Sequence, residues 1–220
     1  YPNEPLLFNI SGICYKANNQ LDAAIDSFEK VLAIKPDDIK AYFNLGIIYM
    51  EMGKLDNAIR FYEKVLVLNP NYTDAHYNLG VIFKELGNLD DAVKSYKKVL
   101  DIKPNHVAAY NNLGVSLKEL GHQEEAVKSY KKAIAINPDF ADACNNLGNV
   151  LKDLSQLDTA VISYKNAITI KPDFADAANN LGIVLHELGQ LNDAVKSFEM
   201  AIVIKPDFAD AANNLGIVLH

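Results

Sequence analysis

Apolar positions along this chain recur at helical spacing in short stretches, each closed by a glycine, an asparagine or a proline. In residues 141–174, Cys144, Leu147, Gly148 and Leu151 follow one another at steps of three and four, which sets them on one helix face. Asp139 stands just before this face with Asp142 three residues on, the pattern of a capping box, so the helix is expected to start there. The face ends near Ser155, whose place is taken by Gly53, Gly87, Gly121 and Gly189 elsewhere and by Asn19 near the start. Such residues accept the left-handed backbone that terminates helices. Asp158 is expected to cap a second helix with an inward face of Ala160, Tyr164, Ala167 and Ile168, and Pro172 forbids its continuation. Each such segment is two short antiparallel helices, with Gly148 and Ala160 allowing close approach while Leu147, Leu151 and Tyr164 fill the space around them.

The unit repeats. Gly12, Gly46, Gly80, Gly114, Gly148, Gly182 and Gly216 are each 34 residues apart, and so are Pro36, Pro70, Pro104, Pro138, Pro172 and Pro206. Ala24, Ala58, Ala92, Ala126, Ala160 and Ala194 keep the same period. The repeats run 5–38, 39–72, 73–106, 107–140, 141–174 and 175–208, with a partial one at 209–220. One hairpin cannot bury its own apolar face, so stacking on neighbours must supply the core. A single all-α solenoid over 1–220, a segment of a longer protein, is the expected domain organisation.

The stretch AYNNLGVSLKELGHQEEAVKSYKKAIAINP resembles the tetratricopeptide repeat family, whose period and signature it carries. Its wording, NNLG then LKELG then EAVKSYKKAI, is further similar to the arrays that precede catalytic domains in O-linked N-acetylglucosamine transferases and to related bacterial arrays. The resemblance implies a right-handed superhelical solenoid, first helices lining its concave side and second helices its convex side.

The face of the first helix not used by the glycine row carries Asn44, Asn78, Asn112, Asn146, Asn180 and Asn214, two residues before each glycine; only the first repeat departs, with Ile10. One residue earlier stand Asn111, Asn145, Asn179 and Asn213. Asparagine in a helix interior costs up to ~0.7 kcal/mol relative to alanine, so paired asparagines are locally uphill. A primary amide has two donors and an acceptor, matching the N–H and C=O of an extended backbone. In the resembled transferases an asparagine ladder grips substrate backbone, which implies the same role for these six. Two blander readings stand beside it: copying, since KPDFADAANNLGIVLH occurs at both 171–186 and 205–220, and amides that satisfy groups between repeats. Ile47, Val81, Val115 and Ile183 add an apolar stripe to the face, while Glu85 and Glu119 belong to acidic rails offset by Lys16, Lys84, Lys118 and Lys152. A basic or neutral extended ligand is expected to suit this groove. With asparagines at the inner positions, and Phe43, Tyr77 and Asn111 beside them, Lys40 alone makes no carboxylate clamp of the kind co-chaperone arrays use.

Charge and chemistry narrow the function. A net charge of −7 and a pI near 5.2 leave no basic face for nucleic acid. No apolar run reaches the ~18–20 residues of a membrane span. Cys14 and Cys144 are no disulfide framework and fit a reducing, cytoplasmic setting, each as a small buried hydrophobe. His76, His106, His122, His186 and His220 are dispersed and are read as solvated helix residues. No catalytic constellation, cofactor loop or metal-ligand spacing appears, so the chain reads as a non-enzyme that binds a protein or peptide in extended conformation. Two alternatives are the recognition arm of a larger glycosyl-, sulfo- or methyltransferase and a self-assembling scaffold. For the last, Leu215, Gly216 and Leu219 lack a covering second helix, so that end is expected to fray or to pack on another molecule.

Overall fold

In a computed structural model describing residues 4–219, the chain forms thirteen helices, with no strand among the described residues. It divides after Pro104 into two compact units. The first holds three hairpins: α1 (Pro5–Ala17) with α2 (Leu21–Ile34), α3 (Ile39–Glu51) with α4 (Leu55–Leu68), and α5 (Thr73–Glu85) with α6 (Leu89–Ile102). The second holds α7 (Val107–Glu119) with α8 (Gln123–Ile136), α9 (Ala141–Asp153) with α10 (Leu157–Ile170), α11 (Ala175–Glu187) with α12 (Leu191–Ile204), and then α13 (Ala209–Val218). Each hairpin corresponds to one predicted repeat. Within each unit, the second helix of a hairpin packs on the first helix of the next.

Helices this short are marginal alone in water, so packing must hold them. Ala24, Phe28 and Val31 of α2 form one buried cluster with Ala41, Leu45 and Ile48 of α3. Ala58, Tyr62 and Val65 of α4 do the same with Ala75, Leu79 and Ile82 of α5. Each cluster straddles two hairpins, so a hairpin's apolar face is completed by its neighbour. Burying a side chain such as Leu45 or Ile48 contributes roughly 1.5–3 kcal/mol. Cys144 is buried in the corresponding cluster of the second unit, with Ala167 and Ala177. Cys14, expected to be buried likewise, is exposed. In α1 it holds the place that Ile48 has in α3, and Ile48 is buried against α2 of the preceding hairpin.

The turns between paired helices follow the sequence expectation: Gly53, Gly87, Gly121, Gly189, Asn19 and Ser155 all have left-handed backbone. The helix starts do not. Asp139 is no cap; α9 starts one residue later, with Phe140 at the cap position and no side-chain cap bond. The Asn137 side chain accepts from the Asp139 N–H at 3.1 Å, holding that residue in the turn made by Pro138. Asp158 lies inside the first turn of α10, where its charge meets the positive end of the helix dipole, and Gln156 holds the cap position. Side-chain caps do occur at Asp38, whose carboxylate accepts from the Ala41 N–H at 3.0 Å, and at His106, whose Nδ1 accepts from the Ala109 N–H at 3.1 Å. His106 is thus a capping group rather than a solvated helix residue.

The periodic glycines make room for a ring more than for a helix backbone. A Cβ on Gly114 would sit 2.7 Å from Cε1 of Tyr130, and one on Gly148 would sit 2.6 Å from Cε1 of Tyr164. The same contact pairs Gly12 with Phe28, Gly46 with Tyr62, Gly80 with Tyr96 and Gly182 with Phe198, and all six rings are buried. Nothing lies within 4 Å of a Cβ on Gly216. α13 is helical over Ala209–Val218, with Ile217 and Leu219 exposed. His220, the last residue of the expected end, lies outside the described residues.

Gly114→Leu should overpack the Tyr130 ring and lower stability by ~1–3 kcal/mol, seen as a lower thermal midpoint; an unchanged midpoint would contradict the contact. Burial holds the Tyr62, Tyr130 and Tyr164 hydroxyls well above their ordinary value of 10.0, so they stay protonated in the fold. Once unfolded they ionise near 10, so stability is full below that pH and is lost as pH rises from about 10 toward the folded values. Denaturation midpoints measured up the alkaline range should fall, and less steeply in Tyr130→Phe and Tyr164→Phe variants, since Phe28 and Phe198 already serve at this position.

Candidate functional site

In the six helix pairs the first-helix glycine faces the ring of the second helix, and a residue two positions earlier lies about 200° round the helix. That geometry turns Asn44, Asn78, Asn112, Asn146, Asn180 and Asn214 away from the ring, and all six are half-buried. Ile47, Val81, Val115 and Ile183, three residues further on, are half-buried beside them, while Glu85 and Glu119 at the helix ends are exposed. Each unit therefore presents an amide face with apolar flanks.

The two units build this face differently. In the first, the position before the asparagine is aromatic: Phe43 packs its ring 5.7 Å from Tyr62 and 5.0 Å from Tyr72, and Tyr77 lies 5.9 Å from Tyr96. Asn78 donates through Nδ2 to the Tyr62 hydroxyl at 3.0 Å. Asn44 makes no side-chain hydrogen bond among the described residues. In the second unit the position holds asparagine, and the amides join successive repeats. Asn146 donates to Oδ1 of Asn111 at 3.1 Å, Asn180 to Oδ1 of Asn145 at 3.2 Å, and Asn214 to Oδ1 of Asn179 at 3.0 Å. Asn145 and Asn179 are only 8% and 7% exposed, so as acceptors they are interior residues, while Asn111 is half-buried. Asn111 also donates to Oδ1 of Asn112 at 3.3 Å.

Asn149 stands where the other repeats carry isoleucine or valine, and it adds a further node. Its Oδ1 accepts from the Tyr164 hydroxyl at 2.9 Å and from Asn180 at 3.1 Å. A depression of about 260 Å³ opens on this face, lined by Val115, Lys118, Glu119, Tyr130, Asn146 and Asn149. Burial first, then the Glu119 carboxylate, keeps the Tyr130 hydroxyl protonated as a donor. Two of the four lysines pair with acids beside this face: Lys16 with Glu51 at 3.0 Å and Lys118 with Asp153 at 3.1 Å. The 35-residue spacing of donor and acceptor amides was present in the sequence as a signal for the inter-repeat bonds, and the lone asparagine at 149 as a signal for the polar node.

Among the described residues no cluster of three His, Cys, Asp or Glu side chains could hold a metal ion, and no helix is long and apolar enough to cross a membrane. Asn145→Ala should cost ~1 kcal/mol by removing a buried acceptor. Asn44→Ala should leave stability unchanged or raise it by a few tenths of a kcal/mol, alanine being the better helix former. Urea midpoints for the two variants check this, and equal effects would deny the amides their linking role.

Tetratricopeptide repeat profiles match residues 39–72 and 73–106, and a second TPR repeat profile matches 14–53, 116–155, 148–189 and 184–220. A third, again a tetratricopeptide repeat, matches 95–128. No curated protein matches the chain. Among solved structures, MamA is 31% identical, covering 78% of this chain and 93% of its own, with a TM-score of 0.72. YrrB, a TPR protein with an unusual peptide-binding site, is 24% identical over 86% of this chain and 98% of its own, TM-score 0.73. PilF of Pseudomonas aeruginosa shares the fold at 14% identity, with 97% of each chain covered and a TM-score of 0.80. With profile matches over most of its length and stacked helix pairs of 34-residue period, this chain belongs to the tetratricopeptide repeat family.

Proposed function

We propose that this chain is a protein-interaction module, without catalytic activity of its own, that holds an extended polypeptide along the amide face of its first helices. The observation that carries the reading is the depression at Val115, Lys118, Glu119, Tyr130, Asn146 and Asn149, where two amides and a hydroxyl stand beside the Val115 side chain. The bonds between repeats do not exhaust these groups. Asn146 gives one N–H to Asn111, and an amide nitrogen carries two. Tying each amide to its neighbour also fixes its rotamer in advance, which lowers the entropy lost when a ligand is gripped. The linking role and the gripping role thus reinforce each other. Ile183 adds an apolar flank within the second unit, and Ile47 and Val81 flank the amide face of the first. YrrB, which shares the fold, carries an unusual peptide-binding site, and the reading here rests on this chain's own residues.

A peptide selected by display against the wild-type chain provides the test. Its affinity, followed by fluorescence anisotropy, should fall tenfold or more in Val115→Lys and in a variant with Asn78, Asn112, Asn146 and Asn180 all changed to alanine. Circular dichroism confirms that each variant is folded. Undiminished binding by the folded variants would remove the amide face as the site.

A further inference from the structure

Arg60 is the only arginine in the chain, and it sits where the repeat pattern is broken on three counts. First, alone among the repeats with a cation at this position, it has no acid three residues before it. In the third and sixth repeats the residue at this position is a lysine paired with an aspartate three residues earlier: Lys94 with Asp91 at 2.9 Å, and Lys196 with Asp193 at 2.9 Å. In the second repeat that acid is Asn57, and Arg60 makes no ion pair among the described residues. Second, the next residue is Phe61, where the other five complete repeats carry Ser27, Ser95, Ser129, Ser163 and Ser197. Each of those serines turns its hydroxyl back onto the carbonyl four residues before it, as Ser27 does on Ala23 at 2.7 Å. Phe61 instead projects a ring outward to the neighbouring helix.

Third, that ring completes an aromatic wall. Phe61 stacks on Tyr49 with centroids 5.2 Å apart and planes inclined by 7°, and Tyr42 lies 6.2 Å away at 36°. The Tyr42 hydroxyl donates to the Pro36 carbonyl at 3.0 Å, which holds its ring in place. Together Tyr42, Tyr49, Asn57, Arg60, Phe61 and Lys64 line an open pocket of about 260 Å³. Arg60 and Lys64, one turn apart on α4, are exposed. The lining therefore holds two cations and no carboxylate, in a chain whose net charge is −7. Tyr42 lies about 200° round α3 from Asn44, so this pocket is separate from the amide face.

We propose that this pocket of the second hairpin docks an acidic peptide segment in which an apolar side chain adjoins carboxylates. The apolar group lies against the Tyr49–Phe61 stack, Arg60 takes a carboxylate through its planar guanidinium, and Lys64 adds a second positive charge. Asn57 supplies an amide in place of the acid that would otherwise neutralise Arg60. The opposite charge preference separates this pocket from the groove, for which a basic or neutral ligand is the expectation.

The repeat pattern supplies substitutions that the fold already accepts. Arg60→Asp installs the residue of the first repeat, Asp26, and Phe61→Ser installs the common serine. A short fluorescein-labelled peptide alternating glutamate with phenylalanine is titrated into the whole chain at low salt, beside a version with lysine for glutamate. The acidic peptide should bind the wild type more tightly, and each substitution should weaken it about tenfold, the scale of one charged hydrogen bond. Lys128→Asp makes the same change at the same repeat position two repeats on, and should leave binding unaltered. Tighter binding of the lysine version, equal affinity in Arg60→Asp and Phe61→Ser, or an equal loss in Lys128→Asp would each overturn the proposal.

Discussion

A tyrosine or phenylalanine ring of the second helix fills the space a side chain would need at the glycine of the first, hairpin after hairpin. This contact fixes more than the closeness of the pair. It sets the rotation of the first helix about its own axis, because only the glycine can face the ring. Once that rotation is set, the residue two positions earlier must face the other way, and the position four residues before the glycine turns to the neighbouring α4 side, as Tyr42 does beside Phe61. The buried alanines at 24, 58, 92, 126, 160 and 194 keep the second helix equally close. The amide row is a geometric consequence of the ring contact.

What stands one residue before that row divides the two units. Phe43 and Tyr77 put rings where Asn111, Asn145 and Asn179 put amides. Rings pack on the second-helix tyrosines within their own hairpin or at the turn beyond it, so in the first unit this position serves the hairpin. Amides reach the following first helix, so in the second unit it ties repeats together. Asparagine is a poor choice for a helix interior, and a directional bond to the next repeat is the compensation that a ring would not give.

The regular features were legible because each depends on one residue and its near neighbours. Glycine and proline rows gave the hairpins, and the six turn residues all adopt the left-handed backbone expected of them. Relations between segments were harder to see. Asp139 looked like a cap because the spacing fitted, but Asn137 bonds to the backbone of the turn and moves the helix start past it. Cys14 looked like Cys144, yet the two hold different repeat positions: Cys14 has the place of Ile48, which is buried against the preceding hairpin, while Cys144 packs with Ala167 and Ala177. The amides were legible as a row and their partnership was not, since a bond between residues 35 apart belongs to the stacking of two helices. The departures at Asn57, Arg60 and Phe61 stand out only when one repeat is set beside the rest.

That 35-residue link has a consequence for how such an array changes length. Adding or removing one whole repeat of the Asn-Asn kind leaves every donor opposite an acceptor of the same type, with no buried amide stranded. An insertion of any other size, or a copy of the Phe43 or Tyr77 repeat placed among them, would strand one. The identical stretches at 171–186 and 205–220 lie within this region of interchangeable parts. The second unit can thus lengthen or shorten in whole steps, whereas the hairpin with the aromatic and cationic pocket has no substitute elsewhere in the chain.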